Sequence, residues 1–187
     1  MLDFVNLHCY RDANLQAIKG DKMQLRRVTD FEEHFKRILK LERKVFPRPI
    51  AACKATNAAL ADLVAQNRYY AWDAWEGDEC IGSTSFWVGK ARGGPLFATF
   101  NSSAILEPYR GKGLYRRMLQ VRIRKIKQLE LPFFEIQCAE RNEKMATFWR
   151  KMVEAGKVRP MKSYYINYYS YRSTTRMLEF RGRTNVW

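Results

Sequence analysis

The chain has 187 residues, 47% hydrophobic and 28% charged, and its 34 Lys plus Arg against 19 Asp plus Glu leave a net charge of +15. That length and balance fit one α/β domain with a proper core, residues 23–187, behind an extension formed by residues 1–22. No run approaches the roughly 18 to 20 apolar residues of a membrane span. Met1-Leu2-Asp3-Phe4-Val5-Asn6 has neither the basic start nor the cleavage pattern of a signal peptide, so the expectation is a cytoplasmic protein with no membrane partner. Cys9, Cys53, Cys80 and Cys138 form no Cys-x-x-Cys pair, and His8 and His34 are the only histidines. This scatter argues against a disulfide framework and against a metal centre, and leaves reduced, packing thiols.

The extension shows no clean periodicity. Met23 to Val28 reads as a first strand, and Thr29-Asp30 caps a helix from about Phe31 to Val45 whose apolar stripe is Phe31, Phe35, Ile38, Leu39, Leu41 and Val45. Phe46-Pro47-Arg48-Pro49 ends that helix, and a second follows on Ala55, Ala58, Ala59, Leu60, Leu63 and Val64. Tyr69 to Glu76 and Cys80 to Val88 flank Gly77-Asp78, a hairpin signal. After the Gly93-Gly94-Pro95 turn, Leu96 to Leu106 is a strand, Leu114 to Leu129 an amphipathic helix and Phe133 to Cys138 another strand. Glu140-Arg141-Asn142 then opens a capped helix through Met145, Ala146, Phe148 and Trp149, and a hairpin completes the chain. No internal repeat or low-complexity tract interrupts this order.

Between the strand ending at Leu106 and the helix starting at Leu114 stands Arg110-Gly111-Lys112-Gly113. Two glycines in so short a turn let the backbone bend with no Cβ in the way, so that successive N–H groups share one concavity at a helix start. Amide donors and the helix dipole together favour an anion such as a phosphate there, while a plain basic, glycine-containing loop fits the spacing equally.

Leu106 to Leu114 closely resembles the acyl-CoA-binding motif of the GCN5-related N-acetyltransferases, in which Arg or Gln is followed by two residues, Gly, one residue, then Gly or Ala. Arg110 and Gly113 match this pattern and Tyr115 departs from it. The resemblance implies a mixed, mostly antiparallel central sheet flanked by helices, with a V-shaped splay at the acyl-CoA site. It implies acetyl-CoA, or another acyl-CoA, as cofactor, its pyrophosphate on Arg110, Gly111, Lys112, Gly113, Leu114 and Tyr115 and its pantetheine arm on Ile105 and Leu106. The family's Asn near the next helix start is matched by Asn142. Trp149 sits where the family has a Tyr that faces the coenzyme A sulfur.

An indole N–H only donates a hydrogen bond, so Trp149 cannot return a proton to a leaving thiolate as a Tyr hydroxyl can. Positioning and electrostatic stabilisation then carry transfer, or a tyrosine from the C-terminal segment substitutes. Trp149 also reads as a plain helix-face core residue. Histone-acetylating relatives place a carboxylate base where this chain has Phe100. Asn101, Ser102, Ser103 and Gln137 are nearby polar candidates, and Glu135 is the preferred carboxylate, although strand alternation also permits it to face solvent.

Charge bears on the acyl acceptor. Eight basic residues and no acidic ones lie between Arg110 and Lys127, and Arg116, Arg117, Arg124 and Lys127 fall on one helix face. Arg159, Lys162, Arg172, Arg176, Arg181 and Arg183 follow, interleaved with Tyr164, Tyr165, Tyr168, Tyr169 and Tyr171. Phosphate contacts and stacking faces in that mixture suit DNA, tRNA or another polyanion, while a solvated basic face and strand-favouring tyrosines explain it equally. Three readings stay open: an acyl-CoA-dependent N-acyltransferase attacking by the acceptor amine directly, a relative acting on DNA bases or aminoacyl-tRNA, and a non-catalytic binding protein. Tyr164 to Tyr171 permits a dimer edge or a substrate platform, so monomer and homodimer both remain open.

Overall fold

The computed structural model describes residues 23–45, 54–90, 94–168 and 173–187. The extension, Cys9, Cys53, Phe46-Pro47-Arg48-Pro49, Tyr169, Tyr171 and Arg172 lie outside them. The elements run β1 (Met23–Arg27), α1 (Phe31–Val45), α2 (Lys54–Ala65), β2 (Tyr69–Glu76), β3 (Glu79–Lys90), β4 (Leu96–Ile105), α3 (Leu114–Gln128), β5 (Phe133–Ala139), α4 (Glu143–Glu154), β6 (Arg159–Pro160), β7 (Tyr164–Tyr168) and β8 (Ser173–Arg183). Two-residue β6 and 3-10 turns at Glu107–Tyr109 and Thr184–Val186 are the additions to the expected order.

Local signals explain several boundaries. The Asp30 carboxylate accepts from the Glu33 amide at 3.0 Å, and Glu32 with Glu33 at the start and Arg43 with Lys44 at the end of α1 complement its dipole. Gly77 takes φ 56° in the turn between β2 and β3, which pair antiparallel from Tyr69↔Trp87 to Glu76↔Glu79.

Among the described residues one eight-stranded sheet results, in the order β1-β2-β3-β4-β5-β8-β6, with β7 also on β8. Every pairing is antiparallel except β4 with β5. That parallel contact is limited to Ala98↔Phe134 and Thr99↔Glu135. Beyond it β4 stays on β3 as far as Ile105 and β5 stays on β8 as far as Ala139, so the two strands part in a V from Phe100 onward.

The helices cover the sheet on both faces. Trp72, Phe86, Phe100, Phe134 and Ile136 pack with Leu119, Ile123 and Ile126 of α3 and with Ala146 and Trp149 of α4. Ala71 and Tyr69 pack instead with Leu60 of α2 and Phe31 and Phe35 of α1. Ala71 and Trp72 are consecutive in a strand, which sets the two clusters on opposite faces. Gly182 stands opposite Phe134 in the β5–β8 register, and a Cβ there would enter the Phe134 ring, so glycine is what lets that aromatic lie flat on the sheet.

Candidate active site

The chain leaves β4 through the 3-10 turn, with the Tyr109 amide donating to the Leu106 carbonyl at 3.0 Å and the Arg110 amide to the Glu107 carbonyl at 3.1 Å. Gly111 and Gly113 then take φ 76° and 79°, left-handed values that a side chain disfavours, and a Cβ on either meets nothing within 4 Å. Gly113 is the N-cap of α3 and no side chain among the described residues caps the helix. The first helical bond runs from the Arg117 amide to the Gly113 carbonyl at 3.2 Å, which leaves the amides of Leu114, Tyr115 and Arg116 with no acceptor inside the helix. Three donors, the dipole, and exposed Arg110 and Lys112 make this end of α3 an anion site. The Arg110 Nε donates to the Ile105 carbonyl at 3.0 Å, and the Tyr109 hydroxyl donates to Glu76 at 2.7 Å, tying the turn to the strands below.

The same turn opens on the V. The Leu106 amide donates to the Ile81 carbonyl at 2.9 Å, which makes Gly82↔Ile105 a non-hydrogen-bonded pair. Alternate residues of β4 therefore send their peptide groups to opposite sides, and Ser103 and Ile105 turn theirs away from β3 toward the gap. Ile105 thus offers its amide to an extended ligand arm, its carbonyl accepting from Arg110. Leu106, expected to share that role, does not, because its amide belongs to β3 and its carbonyl already accepts from Tyr109.

Asn142 is an N-cap whose side-chain oxygen accepts from the Met145 amide at 3.4 Å. Glu135 begins the β5 side of the V on the face opposite α3 and α4, since Phe134 and Ile136 take the other. Its carboxylate accepts from Arg181 Nε at 2.9 Å, and the Arg181 guanidinium lies 4.5 Å from the Phe133 ring centroid. Trp149 is wholly buried against Phe148 and Phe180, and its indole N–H has no partner among the described residues. It is a core residue with one idle donor.

Of the expected basic face of α3, Arg116, Arg124 and Lys127 are exposed, but Arg117 is half-buried and donates to the Met23 carbonyl at 3.0 Å. Lys127 donates to the Trp187 carbonyl at 2.9 Å. Arg122, in the same run, turns inward and is completely buried. Its guanidinium carbon lies 4.0 Å from the Phe100 ring centroid and 5.8 Å from that of Tyr115, whose hydroxyl stands beside it, and none of its three nitrogens makes a well-formed hydrogen bond among the described residues. Burial pushes the guanidinium below the usual arginine range and pushes the Tyr115 hydroxyl above the usual phenol range, with Arg122 beside Tyr115 partly offsetting the latter. The signal for Arg122 was its spacing: Met118, Arg122 and Ile126 recur every four residues along the apolar stripe.

Under α1, His34 Nδ1 lies 3.0 Å from Asp73, which also accepts from Arg37 at 3.1 Å. The 39 residues separating His34 from Asp73 hid this pair from the sequence. A cavity of about 1050 Å³ opens at the other end of the sheet, lined by Lys127, Lys157, Arg159, Arg181 and Arg183 with Glu130.

A mixed sheet splayed beside an uncapped helix start defines an acyltransferase type of fold. The acetyltransferase (GNAT) family model matches residues 35–153, and the chain belongs to that family. No curated protein sequence matches it. Among solved structures it is similar to the ribosomal-protein-S18-alanine N-acetyltransferase of Escherichia coli, at 12% identity and TM-score 0.65 over 87% of this chain and 94% of that one. It is also similar to NAA60 of Arabidopsis thaliana in complex with acetyl-CoA (13% identity, TM-score 0.64, covering 87% and 99%). The NatC complex bound to Gag peptide and CoA gives 15% identity and TM-score 0.65, covering 86% of this chain and 98% of that one.

Proposed function

We propose that this protein is an acyl-CoA-dependent N-acyltransferase that takes acetyl-CoA or another acyl-CoA as its thioester substrate. The observation that carries the reading is the uncapped start of α3, behind two left-handed glycines, at the mouth of the gap between β4 and β5. In the reaction a bond forms between the acceptor's amine nitrogen and the acyl carbonyl carbon, the carbon–sulfur bond breaks, and the thiolate leaves with its electron pair while the amine gives up a proton.

The turn amides with Arg110 and Lys112 hold the phosphates, and the peptide groups of Ser103 and Ile105 align the arm. Glu135, at the closed end of the V, is the carboxylate we assign to the amine's proton, and the buried Trp149, whose indole N–H only donates, returns no proton to the thiolate. The experiment is isothermal titration of acetyl-CoA into wild type and into an Arg110→Ala, Gly113→Asp double variant. We expect saturable one-to-one binding that falls at least about tenfold in the variant, which loses a cation and puts a carboxylate where the phosphate belongs. Unchanged binding removes the assignment.

A second reading, in which the acceptor amine is borne by DNA or tRNA, draws on the basic cavity at the far end of the sheet. Its test is the salt dependence of tRNA and duplex DNA binding, wild type against Arg159→Ala, Arg183→Ala. A slope of log affinity on log salt that drops by about 1 to 2 in the variant supports it, and a slope unchanged by the substitutions counts against it.

A further inference from the structure

Arg122 is a cation sealed inside an otherwise apolar layer. Its side chain has no exposed surface, no acidic side chain among the described residues pairs with it, and none of its guanidinium nitrogens makes a well-formed hydrogen bond to them, the Tyr115 hydroxyl being the one polar group beside it. A charge taken out of water is tolerated when a counter-charge and hydrogen bonds replace its hydration; the described residues supply no counter-charge, and only the neutral Tyr115 hydroxyl stands beside the guanidinium as an acceptor. The face of Phe100 gives a cation–π contact at 4.0 Å, which covers one side of the guanidinium plane and none of its N–H groups. Trp149 adds a second buried donor with no well-formed hydrogen bond among the described residues, and both donors stand by the hydroxyl of Tyr115, whose ring is edge-on to Phe148 at 5.5 Å. The cluster is rich in donors and holds no anion.

Its position is as informative as its chemistry. Phe100 is the first residue of β4 beyond the last pair with β5, so Arg122 sits at the closed end of the V. Along α3 it lies nine residues from Gly113, roughly 13 Å from the phosphate turn, and α3 runs back alongside β4 toward that closed end. A thioester anchored at the turn and extended along Ile105 and Ser103 delivers its acyl group toward Arg122.

We infer that Arg122 receives a carboxylate at the far end of the transferred acyl group, making the thioester substrate a mono-thioester of a dicarboxylic acid. This rests on the acyl-CoA reading above and narrows it. A planar guanidinium matches a carboxylate with two parallel N–H bonds, and acetyl, which ends in a methyl group, leaves the fork empty. The bond changes are those of any acyl transfer from sulfur to nitrogen, with the distal carboxylate passing unchanged into the product.

The test is isothermal titration of CoA, acetyl-CoA and succinyl-CoA into the full chain at fixed ionic strength, for wild type and for Arg122→Met. We expect wild type to favour succinyl-CoA over acetyl-CoA by at least about tenfold, the scale of one charge-assisted bidentate contact, and the preference to vanish in Arg122→Met. The net charge of +15 favours any additional negative charge, so it is the variant that assigns the preference to Arg122. Should the Met variant fail to fold, Arg122→Lys reads the same loss in part, since it keeps the charge without the fork. Equal wild-type affinity for the two thioesters overturns the inference, and so does a preference that survives substitution. Wild type that binds none of the three, CoA included, removes the acyl-CoA reading itself and this inference with it.

Discussion

Tyr69 shows what burial does to one side chain. Beneath α1 its ring lies 5.8 Å from Phe31 and 6.1 Å from Phe35, and its buried hydroxyl stands by Ser85 and Asn101, which offset only part of the cost of burial. Burial pushes the phenol from 10.0 up to about 12, and it pushes the Cys80 and Cys138 thiols from 9.0 up to about 11. All three groups are neutral when protonated, so the folded state holds their protons more tightly than the unfolded chain does. The stability they contribute is complete below pH 9 and drains away as pH rises through about 11 for the thiols and about 12 for the phenol. Urea midpoints measured from pH 8 to 12 should therefore fall, and Tyr69→Phe should remove the upper part of that fall, of the order of 2 kcal/mol. A Phe variant that declines as steeply as wild type would mean that the hydroxyl reaches water. Arg122 teaches a different lesson at this scale. Its place on the apolar stripe was readable from the spacing, whereas its lack of a counterion was not, because partners are set by what other elements bring to it.

The elements themselves were largely legible. α1 and β2 fall where the cap at Asp30 and the hairpin signal at Gly77-Asp78 put them, because those signals act within a few residues of chain. The direction of each peptide group along β4 was not legible, since it depends on a register with β3 that shifts between Thr84 and Phe86. That register is what separates Ile105 from Leu106 as a ligand contact, and it makes a measurable pattern. Amide hydrogen exchange should be fast at Ser103 and Ile105, which face the gap, and slow at Ala104 and Leu106, which face β3. Adding the acyl-CoA substrate should slow the first pair and leave the second as it was. Uniform protection along β4 before any addition would show that the gap is closed in solution.

At the scale of the whole molecule, positive charge concentrates at both ends of α3: Arg110 and Lys112 at its start, and the basic cavity, edged by Lys127, beyond its C-terminal end. Composition showed how much charge there was but not this division, because folding sends Arg122 inside and binds Arg117 to the β1 backbone. No helix among the described residues is long and apolar enough to cross a membrane. The parallel contact of β4 with β5, only Ala98↔Phe134 and Thr99↔Glu135 long, also has a mechanical meaning. It divides the sheet into two antiparallel plates, β1 to β4 and β5 to β8, hinged on two residue pairs and on the stacked rings of Phe100 and Phe134, 4.6 Å apart. Such a hinge transmits little on its own. A molecule lodged between the plates braces one against the other, so that occupancy, more than any single contact, decides whether the two halves yield to heat or force together or one after the other.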